Sequence, residues 1–589
     1  MSTRYATLAI IGFALLAHGM GLRNGFTNWD DPQLLLENEQ VRSISPGNLL
    51  EIFTPQPGHT YQPVRVLSYA IDHALFGYRP FFYHAGNLIL HIVAALLLFH
   101  LFRRLLSQLP ELRSSQHAEI ALVAALLFAV HPANVEAVAW VASRKYGLVA
   151  VFAFLALHLH LRSSQSTKAR VGEGASCAAA MLASPFGVML PMLMLLLDYG
   201  TRRSWDWRRY VPVGVAALIA FGPIGMGLFA EGGISVDIAG DKRHYTILTL
   251  FRVIPQYAGI LLAPIALNNR YPLDVATSIG DWRVLLGILM MLGFAISAIR
   301  AARSNRRWPL VCLGWFGLWW LPVSNILPTM TSMADRYLYL AAPGVFLAAG
   351  IGLDAVVKRV SRKQIQRVMI VVLLIFCVLA GRRTTVWHDS VRLWEDCLAT
   401  TPNNPAALHN LGTHWVKQGD FKNGHVYLSA LAALGEDTAR LWSNLGVCEM
   451  NFGNPAEAKL QFEKAVVLEP EHAGYWLNLA TASLGIGDAE RAAVAMTQIE
   501  AELDMESSID IITRIVQLRR CDLASPLIER YRQRWPGDFR GARMLGVCWA
   551  EIGQLARAMQ ALQEAARLNP SDPATRALIQ KVQAAAAQK

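Results

Sequence analysis

Trp29-Asp30-Asp31-Pro32 follows closely on an apolar run from Tyr5 to Leu22. That run is about long enough to cross the ~30 Å hydrocarbon core of a bilayer. Two adjacent carboxylates at the mouth of such a segment cost free energy unless they are solvated, paired or used. The same alternation of apolar run and polar loop continues outward to about residue 381. Candidate spans are 5–22, 84–102, 118–130, 146–161, 211–229, 284–300, 308–326, 338–357 and 368–381. Only Arg4 precedes the first run, and no small-residue cleavage site lies before Arg23. The run therefore reads as an uncleaved first helix and not as a removed signal peptide.

Composition agrees with a membrane protein. Of 589 residues, 53% are hydrophobic, and the mean hydropathy is +0.31, too apolar for a soluble chain and too long for one domain. The net charge of +11 does not point to nucleic acid, because the excess cations sit in short loops between apolar runs. Five basic clusters mark one face: Arg103, Arg104 and Arg113; Arg162, Lys168 and Arg170; Arg202, Arg203, Arg208 and Arg209; Arg300, Arg303, Arg306 and Arg307; Lys358, Arg359, Arg362, Lys363 and Arg367. The positive-inside rule makes that face cytoplasmic.

Parity then requires segment 175–199, between two such clusters, to enter and return. Ser184-Pro185-Phe186-Gly187 supplies the break. Segment 245–266 is expected to be a re-entrant or interfacial element, or a second hairpin. About 11 crossings result, with the N-terminus cytoplasmic and both Asp30 and the C-terminal part outside. The bacterial style of the sequence suggests a bacterial inner (cytoplasmic) membrane, with the C-terminal part periplasmic. The outer loop 23–82 is far longer than a connector needs, and loops of that length are usually functional. Its apolar stretches, Leu49–Phe53 and Val64–Phe76, could lie along the membrane surface.

From residue 404 a period of 34 is legible. Trp442, Leu445, Gly446, Gly453, Ala458, Phe462, Ala465 and Pro470 occupy the consensus positions of a tetratricopeptide repeat. Leu411-Gly412 and Leu479-Ala480 lie one period to either side, and Leu545-Gly546 about three periods beyond Leu445. The unit at 507–538 is degenerate. The expected division is a membrane domain over 1–383, a linker or first half-repeat over 384–403, repeats over 404–572 and a capping helix over 573–589. Such a superhelix presents a concave surface for peptides or serves only assembly; the groove residues that would touch an acceptor are not marked. The seven cysteines lack metal-ligand spacing. Cys448 and Cys548, at one position of two repeats, read as small packed residues.

Three outer loops carry candidate chemistry: Asp30 and Asp31; His131, Glu136 and Arg144; and Asp335, Arg336 and Tyr337. Asp31-Pro32 could simply start a turn, His131-Pro132 could stop a helix, and an Asp-Arg neighbour pair is often a solvated surface pair. Together, however, they suit a lipid phosphate and a sugar. Arg252, Arg270, Arg382 and Arg383 add outer cations. Walker-type glycine loops, Gly-x-Ser-x-Gly and His-Glu-x-x-His are absent, and no pattern indicates a metal or other cofactor.

Several motifs resemble the transmembrane and tetratricopeptide-repeat O-mannosyltransferases: Trp29-Asp30-Asp31, Tyr61-Gln62-Pro63-Val64-Arg65, Gly77 to His84, Asn87 to His91, His131-Pro132 with Glu136-Ala137-Val138, and Asp335 to Leu340. The resemblance covers nearly the whole chain. It departs at Gln62, where that family tends to have Arg, and at Ser184-Pro185-Phe186, where it often reads Ser-Lys-Glu. It implies an all-α, C-type glycosyltransferase membrane domain followed by the repeats. The implied donor is a polyprenyl-phosphate-linked hexose, mannose by the resemblance, and the implied acceptor is a Ser or Thr hydroxyl of an exported protein bound by the repeats. Asp30 would be the general base of an inverting transfer, with Asp31 beside it. Arg65, His131, Glu136, Arg144, Arg252, Asp335, Arg336 and Tyr337 would hold the donor. Two other readings fit the sequence: a non-catalytic membrane-anchored repeat scaffold, and a transferase that decorates a lipid or glycan.

Overall fold

The computed structural model describes residues 2–56, 61–112, 116–162, 166–230, 243–272, 275–304, 306–324, 326, 331, 333–357 and 360–587, with backbone alone at 221–230 and 243. Arg113, Lys358 and Arg359 of the basic clusters lie outside the described residues. Every regular element among the described residues is helical. The chain divides into two compact units, Met1–Asn404 and Pro405–Lys589.

The first unit runs α1 Thr3–His18, α2 Pro46–Ile52, α3 Pro63–Phe76, α4 Pro80–Gln108, α5 His117–Val130, α6 Val135–Ala139, α7 Arg144–His160 and α8 Thr167–Ala183. It continues with α9 Leu190–Gly200, α10 Val211–Ala230, α11 Arg243–Leu262, α12 Trp282–Arg303, α13 Trp308–Trp320, α14 Leu338–Val357, α15 Arg362–Val386 and α16 Ser390–Thr400. Seven helices among the described residues are long and apolar enough to cross a membrane, making this a multi-pass membrane unit. The pair α5 and α6, bent by 54° at Pro132, adds an eighth, and Pro185–Gly200, Val211–Ala220 and Trp308–Val323 are shorter apolar helices. Segment 245–266 falls largely in α11, one continuous helix and not a hairpin. Pro255 lies inside it, a position that membrane helices tolerate.

Close approach holds these helices together, as expected where lipid removes most of the hydrophobic drive. A Cβ at Gly344 would come within 2.5 Å of the Cys312 carbonyl oxygen, and one at Gly350 within 2.9 Å of the Ile120 carbonyl oxygen. Where α1, α4, α5 and α14 meet, the Ala129 carbonyl accepts from Nε2 of His18 at 3.2 Å and of His91 at 3.1 Å. The Tyr339 hydroxyl meets Nδ1 of His91 at 2.9 Å.

The basic clusters gather at one end of the unit. Arg104 donates to the His158 carbonyl (3.1 Å) and Arg203 to that of His160 (2.8 Å). Arg307 donates to the Tyr199 carbonyl (2.6 Å), and Arg362 pairs with Glu119. Helix α7 starts at Arg144 and finishes at this basic end, so its 17 residues set the two ends of the unit roughly 25 Å apart.

The break at Ser184–Gly187 forms a short 3₁₀ turn over Pro185–Met189 between α8 and α9. Gly187 is required by contact: a Cβ there would lie 2.6 Å from the Met181 nitrogen and 2.7 Å from the Ala180 carbonyl carbon. Residues 384–403 form the end of α15 and α16, and they pack within the first unit.

The second unit repeats a helix pair: α17 Pro405–Lys417 with α18 Phe421–Ala433, α19 Ala439–Asn451 with α20 Pro455–Leu468, α21 Ala473–Gly485 with α22 Ala489–Ile499, α23 Met505–Gln517 with α24 Cys521–Arg534, and α25 Phe539–Glu551 with α26 Leu555–Leu568, before α27 Pro573–Ala587. Added Cβ atoms at Gly412, Gly446 and Gly546 would strike Leu428, Phe462 and Leu562 within 2.5–2.6 Å, which explains the small residue at that repeat position. The turn inside four pairs is a left-handed glycine, Gly419, Gly453, Gly487 or Gly553. In the degenerate unit Arg519 takes that conformation at φ 58°. All seven cysteines are buried and free.

Replacing Gly187 by Ala should push backbone apart between α8 and the turn and destabilise the membrane unit by about 1–3 kcal/mol. Thermal melting of the detergent-solubilised protein measures this, and an unchanged melting temperature would refute the close-contact account.

Candidate active site at the Trp29–Asp31 turn

At the end opposite the basic clusters, the turn 24–32 is clamped by many directed bonds. The Gly25 N–H donates to the His388 carbonyl (2.8 Å) and the Asn24 amide to the Thr384 carbonyl (3.1 Å). The Asn28 N–H donates to Ser390 Oγ (2.9 Å), and its Oδ1 accepts from the Trp394 indole at 2.8 Å. Trp29 stacks on Trp140, with ring centres 4.4 Å apart, and lies parallel to Trp387 at 6.2 Å.

The two carboxylates do different work. Asp31 is 1% exposed. Its Oδ2 accepts from the Thr27 N–H (2.8 Å) and hydroxyl (3.0 Å), and its Oδ1 accepts from the Ala142 N–H (3.0 Å). Asp31 thereby pins the turn to the segment before α7. Burial pushes its carboxyl up to about 6, against the donors from Thr27 and Ala142.

Asp30 is half-buried, and only its main-chain carbonyl takes a hydrogen bond, from the Leu34 N–H at 2.9 Å, among the described residues. Its carboxylate is left for something else. Burial raises it above the ordinary carboxylate range, while Arg336, Lys145, Arg65 and Arg270 pull it back.

Arg336 is held by Glu136, which takes the Arg336 N–H at 2.9 Å and pairs with the guanidinium. The guanidinium lies 5.6 Å from the Trp29 ring centre and 5.4 Å from that of Trp140. Asp335 is buried and accepts from the Tyr271 hydroxyl at 2.6 Å; the Tyr337 hydroxyl donates to the Thr331 carbonyl at 3.1 Å. Arg65, on α3, is 5% exposed, and its Nε has no hydrogen-bond partner.

Other expected site residues serve the scaffold. Arg144 meets Asp72 at 2.6 Å, Asn87 Oδ1 at 2.8 Å and the Tyr83 carbonyl at 2.9 Å, which ties α7 to α3 and α4. The His131 ring accepts from the Ala133 N–H at Nδ1 (3.2 Å), so Nε2 carries the proton toward the Leu261 carbonyl (3.2 Å). Arg252 stands 3.6 Å from Asp281, between α11 and α12. Arg383 pairs with Asp396, and Arg382 is exposed.

Asp30, Asp31, Arg65, Glu136, Asp335, Arg336 and Tyr337 therefore share one neighbourhood. Lys145 joins them as a cation that the motifs did not single out, and Arg270, one of the expected outer cations, joins them too. Lys145 adjoins Arg144, and neighbours on a helix point about 100° apart, so the charge of Lys145 acts on Asp30 while Arg144 staples α3.

The family described as tetratricopeptide repeat matches residues 449–502 and 515–573. The protein O-mannosyl-transferase TMTC4 of Mus musculus is 24% identical over 70% of this chain and 64% of its own length. The protein O-mannosyl-transferase F38B6.6 of Caenorhabditis elegans is 25% identical over 69% of this chain and 59% of its own. Tmtc3 of Drosophila melanogaster, of the same name, is 24% identical over 75% and 56%. The chain thus spans roughly three-fifths of the length of these relatives, all of them animal proteins. They bear out the family resemblance read from the motifs. Among solved structures, YrrB, described as a TPR protein with an unusual peptide-binding site, matches 32% of this chain and 97% of its own at 15% identity, with a TM-score of 0.28.

Because the folded Asp31 carboxyl stands near 6 and not near the ordinary 3.8, the fold holds its proton more tightly than the unfolded chain does. Its contribution to stability is full below about pH 4 and is lost as pH rises through 6. The stability of the wild type relative to Asp31→Asn should therefore fall by about 3 kcal/mol across that window. Melting curves of both proteins at pH 4 to 7 test this, and a constant gap would contradict it.

Proposed function

We propose that this protein is a membrane glycosyltransferase that moves a hexose, mannose by its named relatives, from a polyprenyl-phosphate donor to Ser or Thr hydroxyls of a protein. Asp30 is the general base, and the observation that carries the reading is its unspent carboxylate facing four cations. Glu136 already neutralises Arg336, which leaves Arg65, Lys145 and Arg270 against the single charge of Asp30. That surplus of positive charge suits a leaving phosphate monoester, and guanidinium groups match phosphate oxygens well.

The steps follow from the chemistry. The acceptor hydroxyl oxygen attacks the anomeric carbon as Asp30 takes its proton. The bond from anomeric carbon to phosphate oxygen breaks on the opposite face, so the configuration inverts and the electron pair leaves with polyprenyl phosphate. Arg65, Lys145 and Arg270 stabilise the charge that develops there. Asp31 takes no part in proton transfer and holds the turn.

Orientation follows from charge. With the basic end cytoplasmic, the turn faces outside. The first unit closes at Asn404, whose amide donates to the Arg270 carbonyl at 3.0 Å. Asn410, Asn444 and Asn478 recur every 34 residues on α17, α19 and α21, each half-buried. Asn444 also donates to Thr413 of the preceding repeat at 3.1 Å. Amides spaced in this way suit the main chain of an extended acceptor.

Asp30→Asn should lower transfer of labelled mannose to a Ser/Thr-rich protein by about 10²–10⁴-fold while donor binding stays near normal. The wild-type rate should rise with pH through an acid limb above the ordinary carboxylate range, and the variant should lack that limb. Near-normal transfer by Asp30→Asn would remove Asp30 as the base, and no transfer by the unaltered protein would favour the non-catalytic scaffold.

Replacing Asn410, Asn444 and Asn478 together by Ala should raise KM for the protein acceptor by roughly tenfold or more, from the loss of several hydrogen bonds, with donor affinity unchanged. An unchanged KM would show that these amides do not bind the protein acceptor.

A further inference from the structure

Buried polar groups in native proteins are almost always hydrogen-bonded, so each exception calls for a reason. Asn269 is one. It is 0% exposed, and neither its Nδ2 nor its Oδ1 has a partner among the described residues. Its neighbours leave it little freedom to find one. The Asn268 amide donates to the hydroxyls of Thr400 (2.8 Å) and Thr401 (3.2 Å). Arg270 is one of the cations acting on Asp30, and the Tyr271 hydroxyl is bonded to Asp335.

Two further donors are also unspent, and both lie against Trp29, the neighbour of Asp30. The indole N–H groups of Trp140 and Trp387 are buried without partners among the described residues. Trp140 is 4% exposed and Trp387 0%. Their rings stand 5.6 Å apart, and both lie parallel to that of Trp29, the residue before Asp30.

We propose that Asn269, with the indole N–H groups of Trp140 and Trp387, forms a neutral subsite that reads the hydroxyl groups of the transferred sugar. This rests on the transferase reading above and adds which residues recognise the sugar. An Asn amide both donates and accepts, and an indole only donates. An anion would be drawn to Arg65, Lys145 and Arg270 and would be repelled by Asn269 Oδ1. A hydrocarbon chain would leave all three groups unsatisfied. Sugar hydroxyls donate and accept without charge, so they satisfy the amide and the indoles together. The site is thus divided: cations take the phosphate, and the neutral amide and indoles take the sugar.

The test uses the full-length protein in lipid nanodiscs, without acceptor, and measures Kd for polyprenyl-phosphate-mannose and for bare polyprenyl phosphate. The unaltered protein should bind the mannose lipid more tightly. Asn269→Leu should weaken binding of the mannose lipid by about 10–100-fold, the range for leaving a hydrogen-bonding group unpaired. It should leave bare polyprenyl phosphate unchanged. It should also leave the melting temperature undiminished, because an apolar side chain of similar size replaces an amide that had no protein partner. Trp387→Phe, which removes one N–H but keeps a ring, should show the same selectivity with a smaller loss.

Equal Kd values for the two lipids in the unaltered protein would overturn the proposal. So would an unchanged mannose-lipid Kd in Asn269→Leu, or equal weakening of both lipids with a lowered melting temperature. A variant that alters only KM for the protein acceptor would assign the amide to the acceptor and overturn it as well. If the unaltered protein transfers no sugar, yet Asn269→Leu still abolishes its preference for the mannose lipid, the subsite stands and the transferase reading falls.

Discussion

The three hydrogen bonds accepted by Asp31 hold the site in place. They join Thr27, at the mouth of the first membrane helix, to Ala142, just before α7. The placement of Asp30 depends on that clasp, because a turn free to rotate would let the neighbouring carboxylate swing toward water. Burial makes the clasp strong and costly at once, which is why the Asp31 carboxyl stands near 6. The hydrogen bonds favour the charged form, and desolvation disfavours it by more.

A division of labour follows among residues of one charge sign. Arg144 and Arg336 are each bound to a carboxylate of their own, Asp72 and Glu136. Neither is spare, yet each positions what is: Arg144 ties α3 and α4 to the start of α7, where Lys145 sits, and Arg336 lies beside the Trp29 and Trp140 rings. Lys145 and Arg65 remain uncommitted to any carboxylate among the described residues. Buried charge that is paired supports the frame, and buried charge that is unpaired points to a ligand.

The arrangement also separates the site from the forces that insert the chain. The basic clusters are tied together at one end through the carbonyls at the C-terminal ends of α7 and α9. The carboxylates, the indole stack and the buried amide of Asn269 lie at the other end of α7. Small residues let the helices approach closely enough to carry this polarity.

Much of the architecture follows from the chain alone. Apolar runs, basic loops and the 34-residue period are local patterns, and local patterns suffice to place helices and repeats. The carboxylate pair, Arg65, Glu136 and the Asp335-Arg336-Tyr337 segment were legible as candidates because charge near a membrane is costly wherever it occurs. Loop charges set only the parity and leave segment 245–266 open as a re-entrant or interfacial element or a hairpin; α11, one continuous helix, excludes the hairpin. The roles within the site were not legible. Whether Asp30 or Asp31 is bound depends on Thr27 and Ala142 approaching from separate segments, and whether Arg144 or Lys145 reaches the site depends on how α7 is rotated. Asn269, Trp140 and Trp387 gave no signal at all, since neutral residues stand out only when folding buries them and leaves them unpaired. The sequence by itself determined which stretches are apolar enough for a membrane unit and which repeat. The tertiary structure alone decided which polar groups are spent on holding the fold and which are left to act, because hydrogen bonds between distant segments form only after the chain is packed.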